Sequence, residues 1–115
     1  MVIEDTAFTT VTVNQTWQTA VHTDKGDLPE GFGVITMLRR GDYRGGYLVF
    51  PKYRVAVDLG DRDVLLADVH ESHGNTAITH RSDDAERISC VLYFRRHMTR
   101  CGSWRVEQRK ARRHQ

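Results

Sequence analysis

A mainly β fold of the jelly-roll type is what this 115-residue sequence predicts, and three observations carry the prediction. About eight short runs of β-favouring residues recur at close to ten-residue intervals. Clusters of Gly, Asp and Pro, which accept turn conformations, separate the runs. No stretch before residue 95 repeats its apolar residues with the period of a helix. Short strands without crossover helices pair antiparallel, and two such sheets close over an interior filled by alternating side chains.

The first run is FTTVTVN (8–14), followed by WQTAVH (17–22). The turn-rich DKGDLPEG leads into GFGVITML (31–38), and RRGDYRGG reads as the next turn. GYLVFP (46–51) and YRVAVDL (53–59) follow, then GDR and DVLLADVH (63–70). NTAIT (75–79) and RISCVLYFR (87–95), with the charged loop HRSDDAE between them, complete the set. A helix is on offer only in SWRVEQRKARR (103–113), so the chain divides into a β domain over 1–95 and a basic tail over 96–115.

A hydrophobic content of 39% suffices for one modest core, and the length leaves no room for a second domain. No apolar run approaches the roughly 18 to 20 residues of a membrane span. The opening MVIEDTAF lacks the basic and apolar regions of a signal peptide, so a soluble, intracellular protein is expected, in microbial cytoplasm, a phage-infected cell or a nucleus. Cys90 and Cys101 show no CxxC or Cys/His spacing, which argues for idle thiols over a disulfide framework or a structural zinc site. Charge is uneven: residues 1–94 hold 9 Lys/Arg against 14 Asp/Glu, and 95–115 hold 8 against 1.

His22-Thr23-Asp24 ends one β-like run, where i, i+2 spacing puts both side chains on one face. Two donors then share one ion, and a third comes from DVHESHGN, which offers His70 and His73. Two imidazoles and one carboxylate form a facial triad that holds iron(II) and leaves three positions open. His73 is preferred because Gly74-Asn75 permits a sharp turn that presents the imidazole, while His70 is the rival, or an orienting neighbour. Fourteen positions after His73, Arg87 stands in a β-run, where a fixed cation pairs with the distal carboxylate of 2-oxoglutarate. Ser89 shares its face and adds a hydrogen bond.

With these residues in place, the stretch from about Phe8 to Arg95 resembles the TET/JBP-like 2-oxoglutarate and iron(II) dioxygenases, especially phage and fungal members. The narrower signals are GDY-x-GGYLVFP and DVHESHGNT; the HxD, distal His and Arg belong to the whole superfamily. The resemblance implies a double-stranded β-helix with His22, Asp24 and His73 as iron(II) ligands and Arg87 with Ser89 on 2-oxoglutarate. It further implies Asp27 as a hydrogen-bonding partner of the target base and Tyr93 as the aromatic that stacks on it. Arg95 stands where methylcytosine oxidisers tend to have a His. The family's N-terminal region is largely absent, which marks a minimal or shortened member.

The implied activity is hydroxylation of the methyl group of 5-methylcytosine or thymine in DNA. A methyl in a duplex groove reaches a buried metal only if the base flips out, with a cationic surface to hold the backbone. Arg95, Arg96, Arg100, Arg105, Arg109, Lys110, Arg112 and Arg113 supply that charge. Strands such as Val64–Ala67 and residues 88–92 are expected to line the dry mouth. Two other readings stand beside this one: an oxygenase of the same fold acting on a small molecule, and a catalytically inactive nucleic-acid-binding module.

Overall fold

The computed structural model describes residues 2–113. Its strands are β1 (Thr10–Gln15), β2 (Gly33–Arg40), β3 (Tyr43–Gly45), β4 (Leu48–Phe50), β5 (Val55–Val57), β6 (Val64–Ala67), β7 (Gly74–Asn75), β8 (Ile78–His80) and β9 (Glu86–Tyr93). The helix α1 (Trp104–Arg113) follows.

A larger sheet has the order β1-β9-β2-β6, antiparallel throughout, with Thr10 opposite Tyr93 and Val34 opposite Leu92. A smaller sheet has the order β5-β4-β7, and the segment at His22 adds to it through a bridge to His73. Successive segments therefore alternate between sheets: β1, then His22 opposite, β2 back, β4 and β5 opposite, β6 back, β7 opposite, β9 back. That winding is a jelly roll, the mainly β fold expected. β3 and β8 pair with each other and prolong the β4–β7 arm.

The larger sheet forms where it does because of two-residue alternation. In β2, Gly33, Ile35 and Met37 are buried while Val34, Thr36 and Leu38 turn outward. Ile35 and Met37 meet Leu48 and Leu59 from across the sandwich, with Phe50, Val57, Leu65 and Val91 packed around them. The outer face of the same sheet is also apolar: Val13, Val64 and Leu66 are each more than 60% exposed.

Three expectations are corrected. Residues 17–22 form no strand and contribute only the bridge at His22. The RRGDYRGG segment is not merely a turn, since Tyr43–Gly45 pairs with Ile78–His80 before the chain bends at Gly45 and Gly46 (φ +85° and +71°). A Cβ on Gly45 would lie 1.9 Å from the Ala77 carbonyl oxygen, so only glycine fits there. Gly74-Asn75 is a strand rather than a turn; its glycine allows a close approach, since a Cβ would meet the Val21 backbone at 3.0 Å. The helix open to residues 103–113 forms over Trp104–Arg113, and no helix among the described residues is long and apolar enough to cross a membrane. Cys90 and Cys101 are free and half-buried.

Candidate functional site

Between the two sheets lies a cavity of about 400 Å³ that takes in His22, Asp24, Asp27, His73, Arg87, Ser89, Tyr93 and Arg95. Two backbone pairings align one side of it. His22 and His73 exchange N–H···O bonds of 2.8 and 2.9 Å, and the Asp24 N–H donates to the Val69 carbonyl at 3.0 Å. The 22–24 segment is thereby held extended against 69–73, and the i, i+2 geometry survives without a regular strand.

One ligand atom from each of His22, Asp24 and His73 lies within 4.8 Å of the others. His22 Nε2 approaches one carboxylate oxygen of Asp24 at 3.2 Å, and His73 Nε2 approaches the other at 3.7 Å. On each ring the opposite nitrogen faces a carbonyl at 2.8 Å, Ala20 for His22 and Glu71 for His73. A carbonyl only accepts, so Nδ1 carries a proton in both rings, and each ring turns its Nε2 inward toward the Asp24 carboxylate. Two Nε2 atoms and a carboxylate that converge on one point can share a single cation. The donor set fits a divalent metal with open coordination positions.

Arg87 is 5% exposed, and among the described residues no carboxylate faces its guanidinium. Burial lowers its pKa from the ordinary value; Tyr43 opposes that shift and Arg39 adds to it. Since among the described residues no fully buried polar side-chain atom lacks a partner, the guanidinium must open to the cavity, where it suits an anionic group. Ser89, two residues on along β9, is 4% exposed and lines the same cavity. Gly46 makes room for this, because a Cβ there would touch the Arg87 side chain at 3.0 Å.

Tyr93, Asp27 and Arg95 gather at the other end of the β9 stripe. A bridge places Asp27 opposite Arg95, the Tyr93 hydroxyl pairs with Thr12 Oγ1 at 3.1 Å, and the Arg95 guanidinium lies 5.5 Å from the Tyr93 ring centre. Burial raises the Asp27 pKa, and neighbouring Asp24 adds to the rise against Arg95, His70 and His73. His70 is outside the metal cluster: its Nδ1 donates to Asp68 at 3.0 Å and its Nε2 faces the Asp27 carbonyl at 3.4 Å. It lies against the Asp27 backbone and outside the His22, Asp24 and His73 group.

Apolar lining comes from Ile35, Leu48, Leu59, Val69 and Val91. Val64–Ala67 does not contribute, and of residues 88–92 only Ser89 and Val91 do, because the others face outward. Sequence reasoning also missed Thr12, Asn14 and Trp17, which line the cavity from the β1 side. Their signal was present: in TVTVNQ the valines, at 41% and 62% exposure, turn out, while the polar Thr12 and Asn14 between and beside them line the cavity. A strand of that kind borders a polar site rather than a core. Beyond residue 95 the basic residues lie on a 3-10 turn, Arg96–Arg100, and on α1, where Arg105, Arg109, Arg112 and Arg113 are exposed and Lys110 pairs with Glu107 at 2.8 Å.

The family model described as Tet_JBP, the oxygenase domain of the 2OGFeDO superfamily, matches residues 1–96. The bifunctional helicase and thymine dioxygenase JBP2 of Leishmania braziliensis is 42% identical over 90 residues, covering 78% of this chain and 8% of that protein. The thymine dioxygenase JBP1 of Trypanosoma brucei brucei is 41% identical over 95 residues, 81% of this chain and 11% of that one. The chain spans about a tenth of the length of these curated relatives.

Proposed function

Since the chain belongs to the Tet_JBP oxygenase domain family of the 2OGFeDO superfamily, we propose that it is a 2-oxoglutarate- and iron(II)-dependent dioxygenase acting on the methyl group of a 5-methylpyrimidine, 5-methylcytosine or thymine, in DNA. The observation that carries this reading is the pairing, within one cavity, of a convergent His–Asp–His donor set with a buried arginine that has no carboxylate partner among the described residues. Relatives named as thymine dioxygenases support the substrate class.

His22, Asp24 and His73 would hold the iron(II), which when bound supplies the redox chemistry that couples oxidation of the keto acid to hydroxylation of a C–H bond. The protein's own part is placement. The Ala20 and Glu71 carbonyls fix both imidazoles with Nε2 inward, so the ligand set is organised before the metal arrives. Arg87 and Ser89 hold the distal carboxylate of 2-oxoglutarate, and the apolar walls at Ile35, Leu48 and Val91 keep water off that ion pair. Asp27, Tyr93 and Arg95 stand at the mouth, where an extruded base stacks on the tyrosine and meets a carboxyl group and a guanidinium along its edge. The exposed arginines of α1 and Arg96 and Arg100 of the preceding turn hold the phosphate backbone, which makes DNA affinity fall steeply with salt.

The test is incubation of the protein with iron(II), 2-oxoglutarate and DNA carrying thymine or 5-methylcytosine, followed by digestion and mass spectrometry of the nucleosides. A hydroxymethyl nucleoside that requires both iron and keto acid is the expected result. Succinate release unchanged by DNA, with no hydroxymethyl product, overturns the DNA reading and favours a small-molecule substrate.

A further inference from the structure

Strand alternation in β1 turns Thr12 and Asn14 toward the cavity and predicts that Trp17, an odd position, points out with Val11, Val13 and Gln15. It does not: Trp17 lines the same cavity as Arg87 and Ser89. The reason is Thr16, whose φ of +46° is left-handed. A β-branched residue adopts that conformation only when its surroundings impose it, and such strain gathers at ligand sites. Here the Thr16 N–H donates to the Arg87 carbonyl at 2.6 Å, and its hydroxyl accepts from the Arg87 N–H at 3.3 Å. The bend is pinned to the backbone of the arginine itself, and it brings an indole that is 64% exposed to the lining of the same cavity. Directly opposite Ser89 in the β1–β9 register stands Asn14, which also lines the cavity and whose carboxamide bonds to no described residue.

We propose that Asn14 and Trp17 complete the grip on the distal carboxylate of 2-oxoglutarate, Asn14 donating an amide N–H beside Arg87 and Ser89, and Trp17 laying its indole across the pair. This rests on the co-substrate reading above and adds a third wall to it. A guanidinium held between sheets binds a carboxylate more tightly as water is excluded, and an exposed indole gains by covering the ion pair it borders. The edge strand β1 thus serves selection of a dicarboxylate over a monocarboxylate keto acid.

The experiment is calorimetric titration of 2-oxoglutarate into iron(II)-loaded protein under nitrogen, with emission of Trp17 followed in a Trp104→Phe background. Trp17 emission is expected to move to shorter wavelength at saturation and to become less accessible to a soluble quencher. Asn14→Ala is expected to raise the Kd about tenfold, Asn14→Asp about a hundredfold through repulsion, and Trp17→Ala about tenfold, all with iron affinity unchanged. Arg87→Met and Arg87→Lys separate the two levels. If neither weakens keto-acid binding, the co-substrate reading itself fails. If both weaken it while Asn14→Asp and Trp17→Ala stay within twofold of the parent and Trp17 emission does not respond, the third wall is overturned.

Discussion

The larger sheet runs through strands of six, eight, eight and four residues, whereas the smaller one joins strands of three, three and two residues with a single bridge at His22. The first carries Arg87 and Ser89 on a regular ladder; the second carries His73 and, through its bridge, His22, with Asp24 just beyond. The difference suits what each is proposed to hold. A carboxylate needs one cation at a fixed height on a rigid strand, which two-residue alternation provides. A metal needs three atoms from three residues to meet at a point, and no regular strand does that. Strand ends, a close glycine approach at Gly74 and a turn at residues 69–70 bring them together at the cost of ladder length.

The sharpest way to break that division is through the smaller sheet. His22→Ala, Asp24→Ala and His73→Ala are each expected to weaken iron(II) binding by well over 100-fold and to abolish turnover, since even neighbours of metal ligands are worth 10- to 100-fold. His70→Ala is expected to keep iron affinity within a few-fold, because its contacts are Asp68 and the Asp27 backbone. Metal titration of the four variants checks this, and equal losses for His70 and His73 would dissolve the assignment of ligands.

A second test separates the inner from the outer face of the larger sheet. Met37 is 1% exposed between the sheets, and Met37→Ala is expected to cost about 2–5 kcal/mol of folding stability. Val13 is 62% exposed on the outer face, and Val13→Thr is expected to cost less than about 0.5 kcal/mol. Denaturant midpoints for the two measure whether the sandwich interior is the only apolar layer the fold depends on.

The same contrast decides what could be read from the sequence. GVITML and RISCVLYF are runs of β-favouring residues, and their strands fell close to the predicted limits. The order HxD, His, Arg located four residues that the structure brings into one cavity, because spacing along the chain survives irregular geometry. What was not legible is the smaller sheet. WQTAVH has strand-like composition but follows the left-handed Thr16, and its backbone is claimed by Asn75, whose side chain accepts from the Thr19 N–H at 2.9 Å. β3 hid in a glycine-rich stretch, since composition marks the bend at Gly45 and Gly46 but not the pairing before it. Trp17 escaped notice for a like reason: period-two logic places it outside, and a single positive φ reverses it.

The smallest expected effect lies where the two sheets' contributions touch. Asp27 is held above the ordinary aspartate pKa chiefly by burial, with the nearby Asp24 carboxylate adding to the rise and Arg95, His70 and His73 opposing it. In metal-free protein the native state therefore keeps a proton on Asp27 that the unfolded chain has already lost, from about pH 4 upward. A native state that binds more protons loses stability as pH rises through that window, and once both states are ionised the penalty is complete. Asp27→Asn removes the titrating group, so its stability is expected to fall less than that of the parent between about pH 4 and pH 7. Parallel denaturation midpoints for the two proteins across that range would show that Asp27 ionises freely at the cavity mouth, and that the Asp24 carboxylate and the Asp27 and Arg95 end of the cavity do not sense each other's charge.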